Sequence, residues 1–303
     1  MITLFSGPKP FTGHIGVIQE NAIASWTRLG EGVEVLLLGD EPGLRESAER
    51  HGARHLPRVA RTESGTPRLD AMFAMARESA AHRLLCYVNA DVILLPDLWA
   101  CASEVCTQFE SFLMAGQRWD LEVGEALRFD DGWEQRLRGE VAARARRHPP
   151  GGSDYFVFPR ACFQAMPAFA LGRAGWDNWM IYHARLQRWP VVDASQALTA
   201  IHQDHDYAHL PDGMPHYRLP ESERNLELAG GRPSVFSLMD SDWVYSGGRL
   251  RRRPVQLREL LRRAEVAVYL ALGPGQAARR ARLLMHPLET LRSLRQRPRR
   301  GAS

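Results

Sequence analysis

Lysine is almost missing from this chain: Lys9 is the only one, so nearly all the positive charge is arginine. Cysteine is scarce. Cys86, Cys101, Cys106 and Cys162 are the 4 present, and their spacing matches no metal-ligand set. They read as small buried hydrophobes in a reducing compartment. No apolar stretch approaches the roughly 20 residues that would cross a bilayer. Met1-Ile-Thr-Leu-Phe5 also lacks the basic and long apolar regions of an export signal. The expectation is a cytoplasmic protein that does not span a membrane. There is no Walker loop and no GxGxxG after the first apolar run, which argues against a P-loop NTPase and a dinucleotide-binding dehydrogenase.

What is present describes an ordinary globular protein. Its 303 residues are 45% hydrophobic and 24% charged, enough for a full core. The net charge of +4 hides an asymmetry, because residues 249–303 hold 15 Arg against 3 Glu, leaving an acidic body and a basic tail. We expect a body over residues 1–247 and a helical basic tail over 248–303.

Apolar runs and helical spacings alternate through the first third. Ile2–Phe5, Val33–Leu38, Ala53–Leu56 and Arg83–Val88 read as strands. His14–Trp26 and Leu44–His51 read as helices, the second ending at Gly52. A third helix is expected to open at Thr66-Pro67, with threonine as cap and proline in the first turn. This order predicts a mainly parallel α/β sheet covered on both sides, which binds ligands at the carboxyl ends of its strands. Farther on, Pro96–Cys106 and Ala174–Gln187 read as helices. Tyr155–Phe158, Trp189–Val192 and Ala197–Ile201 read as strands, and Gly124–Arg147 as a polar excursion.

Four constellations could carry chemistry. Asn89-Ala90-Asp91 ends the fourth strand with two oxygen-bearing side chains two residues apart. These suit a hard divalent cation carrying phosphate oxygens, although an Asx turn uses the same residues. Gly175-Trp176-Asp177-Asn178-Trp179 opens a helix. Asp177 there is either a partner of the helix dipole or a general base beside a substrate hydroxyl, and Trp176 and Trp179 offer faces for stacking on sugar rings. His202-Gln203-Asp204-His205-Asp206-Tyr207 could ligate a metal or form a solvated loop, and its spacing is not that of structural zinc. Gly151-Gly152-Ser153-Asp154-Tyr155 could hydrogen-bond hydroxyls or simply turn into a strand. Gln117-Arg118-Trp119-Asp120 adds charge and aromatic surface at another strand end.

Taken in order, these pieces over residues 1–230 resemble the GT-A glycosyltransferases, most closely the bacterial family-2-like enzymes. The resemblance implies a GT-A fold and transfer of a sugar from a nucleoside diphosphate sugar. It makes Asn89 and Asp91 a DxD-like site for Mn2+ or Mg2+ on the diphosphate, with asparagine in place of the first acid. It sets Asp40 against the base or ribose, and Ser6 and Pro8 in the loop that passes the nucleotide. Asp177 corresponds to the base of an inverting transfer, and His202, then His205, to the late metal ligand. Arg118, Trp119, Asp120, Ser153, Asp154, Trp176 and Asn178 would line donor sugar or acceptor. A sugar nucleotidyltransferase is a rival, but Ser6-Gly7-Pro8-Lys9-Pro10 poorly matches its Gly-rich basic loop. A catalytically silent nucleotide-sugar or glycan-binding module is the other.

In the tail, Val255–Leu272 and Gln276–Leu294 read as helices divided by Gly273-Pro274-Gly275. Ala277, Ala281, Leu284, Leu288 and Leu291 share one face of the second, with arginine on the rest. A basic amphipathic pair suits an anionic membrane surface, and with it a glycan or lipid-linked acceptor met at the inner face of a membrane. A packed, solvated helix or an oligomer contact fits the same pattern. No reader fold accompanies the charge to suggest nucleic acid.

Overall fold

The computed structural model describes residues 1–205 and 219–287. Strand and helix alternate at first: β1 (Ile2–Ser6), α1 (Gly13–Trp26), β2 (Val33–Leu38), α2 (Leu44–His51), β3 (Arg54–Leu56), α3 (Leu69–Ser79) and β4 (Leu84–Val88). The apolar runs form these strands, which pair parallel in the order β4-β1-β2-β3. α2 stops where its pattern does, because Gly52 takes the left-handed cap at φ 66° without a Cβ penalty. α3 starts later than Thr66-Pro67 suggested. Pro67 and Arg68 bridge to Arg61 and Ala170 as extended backbone, and the Thr66 hydroxyl donates to Glu221 instead of capping.

Next come β5 (Val92–Leu94), α4 (Asp97–Gln108), β6 (Leu113–Ala115), β7 (Trp119–Leu121), α5 (Trp133–Arg144), β8 (Arg146–Arg147) and β9 (Tyr155–Pro159). Then follow α6 (Trp176–Leu186), β10 (Val191–Asp193), β11 (Ala200–Gln203), α7 (Pro220–Leu228), β12 (Trp243–Ser246), β13 (Arg249–Arg252), α8 (Leu260–Leu272) and α9 (Gln276–Met285). Among the described residues the large sheet runs β13-β12-β10-β6-β9-β4-β1-β2-β3. β9 is antiparallel between two parallel groups, and β13 closes the edge as an antiparallel hairpin with β12. The mainly parallel α/β sheet is therefore present.

Strand residues alternate between two cores, as a period of two requires. Phe5, Leu85 and Tyr87 pack with side chains of α3, α6 and α8, whereas Leu4, Cys86 and Val88 pack with α1, α2 and α4. Helices thus cover both faces. The polar excursion is largely α5, whose Leu137 and Val141 pack on Leu121 and Val123 in a third, smaller cluster.

A second sheet, β5-β11-β7-β8, stands beside the carboxyl ends of the first. Its register decides what the candidate residues can do. His202 of β11 lies opposite Asp120 of parallel β7 and opposite Val92 of antiparallel β5, one residue beyond Asp91. Three segments more than 20 residues apart in sequence thereby present their polar side chains together. His202 and Gln203 were expected just after a strand; they belong to it. Asp206, Tyr207, Leu288 and Leu291 lie outside the described residues.

Candidate active site

Asp91 leaves β4 in a short turn closed by the Val92 amide donating to the Asn89 carbonyl at 3.1 Å. Gln203, fully buried in β11, fixes the Asp91 backbone: its amide N–H and its side-chain nitrogen both donate to the Asp91 carbonyl, at 3.1 and 3.2 Å. The carboxylate is then free to face two imidazoles. His205 Nε2 is 3.2 Å and His202 Nε2 3.9 Å from Asp91 Oδ2. The other nitrogen of His202 faces Asp120 Oδ1 at 3.6 Å and Asp204 Oδ1 at 3.4 Å. Asp91, His202 and His205 each offer a ligand atom within 4.8 Å of the others, and so do Asp120, His202 and Asp204.

Burial alone would raise the Asp91 pKa. The His205 hydrogen bond and the nearby His202 and Lys9 outweigh it and hold the carboxyl well below the usual range. Asp91 Oδ1 and His202 Nδ1 are buried with no hydrogen-bond partner, and so are Ser6 Oγ at the end of β1 and Ser153 Oγ before β9. Buried polar atoms are seldom left so, and four around one strand edge mark a place built for a polar ligand. A mixed carboxylate–imidazole set with an orphaned oxygen fits a divalent cation.

Asn89 plays a different part from its neighbour. Its Oδ1 accepts from the Tyr87 hydroxyl at 2.8 Å, and its Nδ2 donates to Asp154 Oδ1 at 2.7 Å. Its amide group is thus a brace between β4 and the loop before β9, rather than a ligand reaching toward a cation. The other oxygen of Asp154 accepts from Arg118, whose Nε donates to Asp120 Oδ1 at 2.8 Å. Asp120 also meets His148 at 2.9 Å. Burial pushes the Asp120 carboxyl up, but His148 and Arg118 bring it below its ordinary value. Arg118, Asp120, His148, His202 and His205 line one open cleft of about 500 Å3.

Asp177 sits in the first turn of α6, after Gly175, whose φ of 104° suits glycine. Gly152 passes close by, since a Cβ there would lie 3.3 Å from Asp177 Oδ2. Burial pushes the Asp177 carboxyl up to about 6; the Asn178 amide opposes the rise and Asp154 adds to it. Asn178 Nδ2 donates to the carbonyls of Gly151 and Phe236, at 2.9 and 2.7 Å, which fixes the glycine loop beside the acid. A carboxylate with such a value is poised to accept a proton near neutral pH.

Several expected residues fall elsewhere. Trp176 is only 5% exposed and meets the rings of Tyr87 and Phe156 edge to face at 4.9 and 5.4 Å, so its faces are packed in protein and not open to a sugar. Trp179 is likewise buried and stacks on His183. Both are large apolar groups on the helix face turned toward the sheet, and the helical period dictates that they be core. Trp119 is half-buried, with the Arg147 guanidinium 5.4 Å from its ring centroid. Asp40 stands exposed at the end of β2, paired with Arg61, and Pro8 is buried in the loop after β1.

Sequence reasoning passed over Lys9. Burial lowers its pKa, and Asp91 pulls it back up. Gln19 of α1 clamps its backbone, accepting from the Lys9 amide at 2.6 Å and donating to its carbonyl at 2.9 Å. Being the only lysine, in the first strand-end loop, was the signal available. His148 gave no signal, because only the pairing of β7 with β8 brings it near Asp120.

Neither a protein-family model nor a curated protein sequence matches the chain. Among solved structures it is similar to glucosyl-3-phosphoglycerate synthase from Mycobacterium tuberculosis in complex with Mg2+ and uridine-diphosphate. That likeness has 15% identity and a TM-score of 0.45, over 85% of this chain and 88% of that one. It is also similar to a mannosyltransferase from Pyrobaculum calidifontis in complex with GDP-Man and Mn2+, at 9% identity and a TM-score of 0.45, over 68% of this chain and 58% of that one. Likenesses this distant assign no role to any residue.

Proposed function

We propose that this chain is a cation-assisted transferase acting on a phosphorylated donor. More particularly, we infer a GT-A-type glycosyltransferase that moves a sugar from a nucleoside diphosphate sugar to an acceptor hydroxyl. One observation carries the reading: a carboxylate–imidazole cluster and a separate acid raised to about 6 stand at the same sheet edge, and the charge of Asp154, held by Asn89 and Arg118, adds to the rise of that acid. Phosphate leaving and hydroxyl attack need those two groups, and need them apart.

Asp91, His202 and His205 would hold the cation. A divalent ion there supplies charge to the diphosphate, and the imidazoles favour Mn2+ over the oxygen-seeking Mg2+. Lys9 adds positive charge that acts on Asp91. Ser6 and Ser153 offer their unpaired hydroxyls to donor oxygens, and Asp40, exposed and paired with Arg61, would be the acid for base or ribose. Arg118 holds Asp120 and Asp154 in place. Asp177 accepts the acceptor proton as the acceptor oxygen bonds to the anomeric carbon, while the bond from that carbon to the phosphate oxygen breaks on the opposite side, inverting the centre. Asn178 keeps Asp177 against the Gly151-Gly152 loop.

The acceptor in this reading is a glycan or a lipid-linked hydroxyl, met by a cytoplasmic protein at the inner face of a membrane, in work such as polysaccharide synthesis. The basic residues after Arg249 support that setting, and no helix among the described residues is long and apolar enough to cross a membrane. Release of nucleoside diphosphate should be measured across common nucleotide sugars with Mn2+ and with Mg2+. If no donor gives more release than it does with the Asp91→Asn protein, the transferase reading is wrong.

A further inference from the structure

The exposed side of α8 carries no charge. Leu257 in the turn before it, then Leu260, Leu261, Ala264, Ala267, Val268, Ala271 and Leu272 all face solvent, at the spacing of one helical face. Leu257 and Leu261 are 85% and 86% exposed, and on neighbouring α9 Leu284 is 83% exposed. The opposite side of α8 is fixed to the body. Arg262 reaches Asp240 at 2.8 Å, and Val266 and Tyr269 are buried in the main core. The apolar side is therefore not a loose helix waiting to turn inward.

A second feature adjoins it. At the amino ends of β10 and β12, away from the candidate active site, a cleft of about 500 Å3 is lined by Arg185, Arg188, Arg252, Trp189 and Trp243, and by Ala271 from the α8 stripe. Its acid, Asp242, is already paired with Arg185. Arg252 lies over the Trp243 ring at 4.3 Å, and Arg188 is exposed with φ 60°, a backbone state rare outside glycine. Arg251 and Arg258 are exposed nearby.

An apolar helix face flanked by arginine and tryptophan complements acyl chains under anionic headgroups. We propose that α8 lies in the plane of an anionic bilayer, its leucine stripe entering the acyl boundary, with a lipid phosphate seated in the Arg188–Arg252 cleft. The inference rests on the membrane setting given above and not on the transfer reaction.

The test is co-sedimentation of the full chain with vesicles of phosphatidylcholine alone and of phosphatidylcholine with phosphatidylglycerol, with the oligomeric state measured in parallel. Binding is expected only to the anionic vesicles. It should fall about tenfold or more in Leu257→Glu/Leu261→Glu, and severalfold in Arg188→Ser/Arg252→Ser, with circular dichroism and vesicle-free donor hydrolysis unchanged. Three results overturn the proposal. One is no binding by the unmodified protein. Another is undiminished binding by the leucine variant, which assigns attachment to the arginines after residue 287. The third is a dimer that the leucine variant splits without any lipid binding, which makes the stripe a contact between copies. Donor hydrolysis fails or survives separately, so the two readings cannot be confused.

Discussion

Replacing Asp177 with asparagine removes the proposed base while keeping its shape, and two effects of opposite sign should follow. General-base catalysis is worth about 100- to 10,000-fold in rate, or about 3–5 kcal/mol of barrier, and transfer should fall by that much with donor affinity unchanged. Stability should rise. A carboxyl raised from 3.8 to about 6 by burial binds its proton more tightly in the folded chain than in the unfolded one. Below about pH 4 both states are protonated and the group costs nothing. Between the two values the cost grows, and above pH 6 it reaches about 3 kcal/mol as an upper figure. Asparagine is never charged and escapes this cost, so its Tm should exceed that of the unmodified protein by several degrees at pH 8 and converge with it near pH 4. The unmodified protein should lose the proposed transfer on acidification with a midpoint near 6, retaining about a tenth of it at pH 5. Transfer assays over pH 4.5–8.5 and paired thermal melts measure both. A variant that keeps full transfer, or that is less stable at pH 8, would refute the role given to Asp177.

Other outcomes follow from the same geometry. His202→Ala should weaken Mn2+ binding by at least tenfold in calorimetry, whereas Asn89→Ala, which removes a brace, should change melting more than metal affinity. Gly116→Ala would bring a Cβ to 2.1 Å from the Tyr155 hydroxyl and 3.0 Å from the Ser195 amide. It should cost about 1–3 kcal/mol in denaturant unfolding, relieved in part by adding Tyr155→Phe. Lys9→Met should raise the donor Kd severalfold, because it removes the cation that helps keep Asp91 ionised; an unchanged Kd would take Lys9 out of the site. Trp176→Ala should destabilise by about 3–5 kcal/mol, as a buried aromatic does, and Trp176→Phe should leave donor preference unaltered.

The strands β1, β2 and β4 were legible because they are buried on both faces, and such strands are written as unbroken apolar runs. α2 was legible to its last residue because Gly52 supplies a conformation that other residues resist. α3 was misjudged at its start, since Thr66 and Pro67 are good capping chemistry locally and only Arg61, Ala170 and Glu221, from other parts of the chain, hold them extended. The leucine stripe on α8 was not legible because Val266 and Tyr269 make the charged side partly apolar as well, and it is those two that packing buries.

The sequence by itself determined a parallel α/β sheet and the segments that meet at its carboxyl edge, because strand periods and turn residues are local properties. It also singled out Asp91, Asp177, His202 and His205 as candidates, because those residue types at strand and helix ends suit cation binding and proton transfer. Only the tertiary structure decided how they are arranged. The register of β5, β11 and β7 sets His202 between Asp91 and Asp120, and the Gly151-Gly152 loop passes against half-buried Asp177. The same packing turns Asn89 into a brace and Trp176 into core. Hydrogen bonding, desolvation and charge coupling act over a few ångströms between residues far apart in the chain, and no pattern along the sequence records those distances.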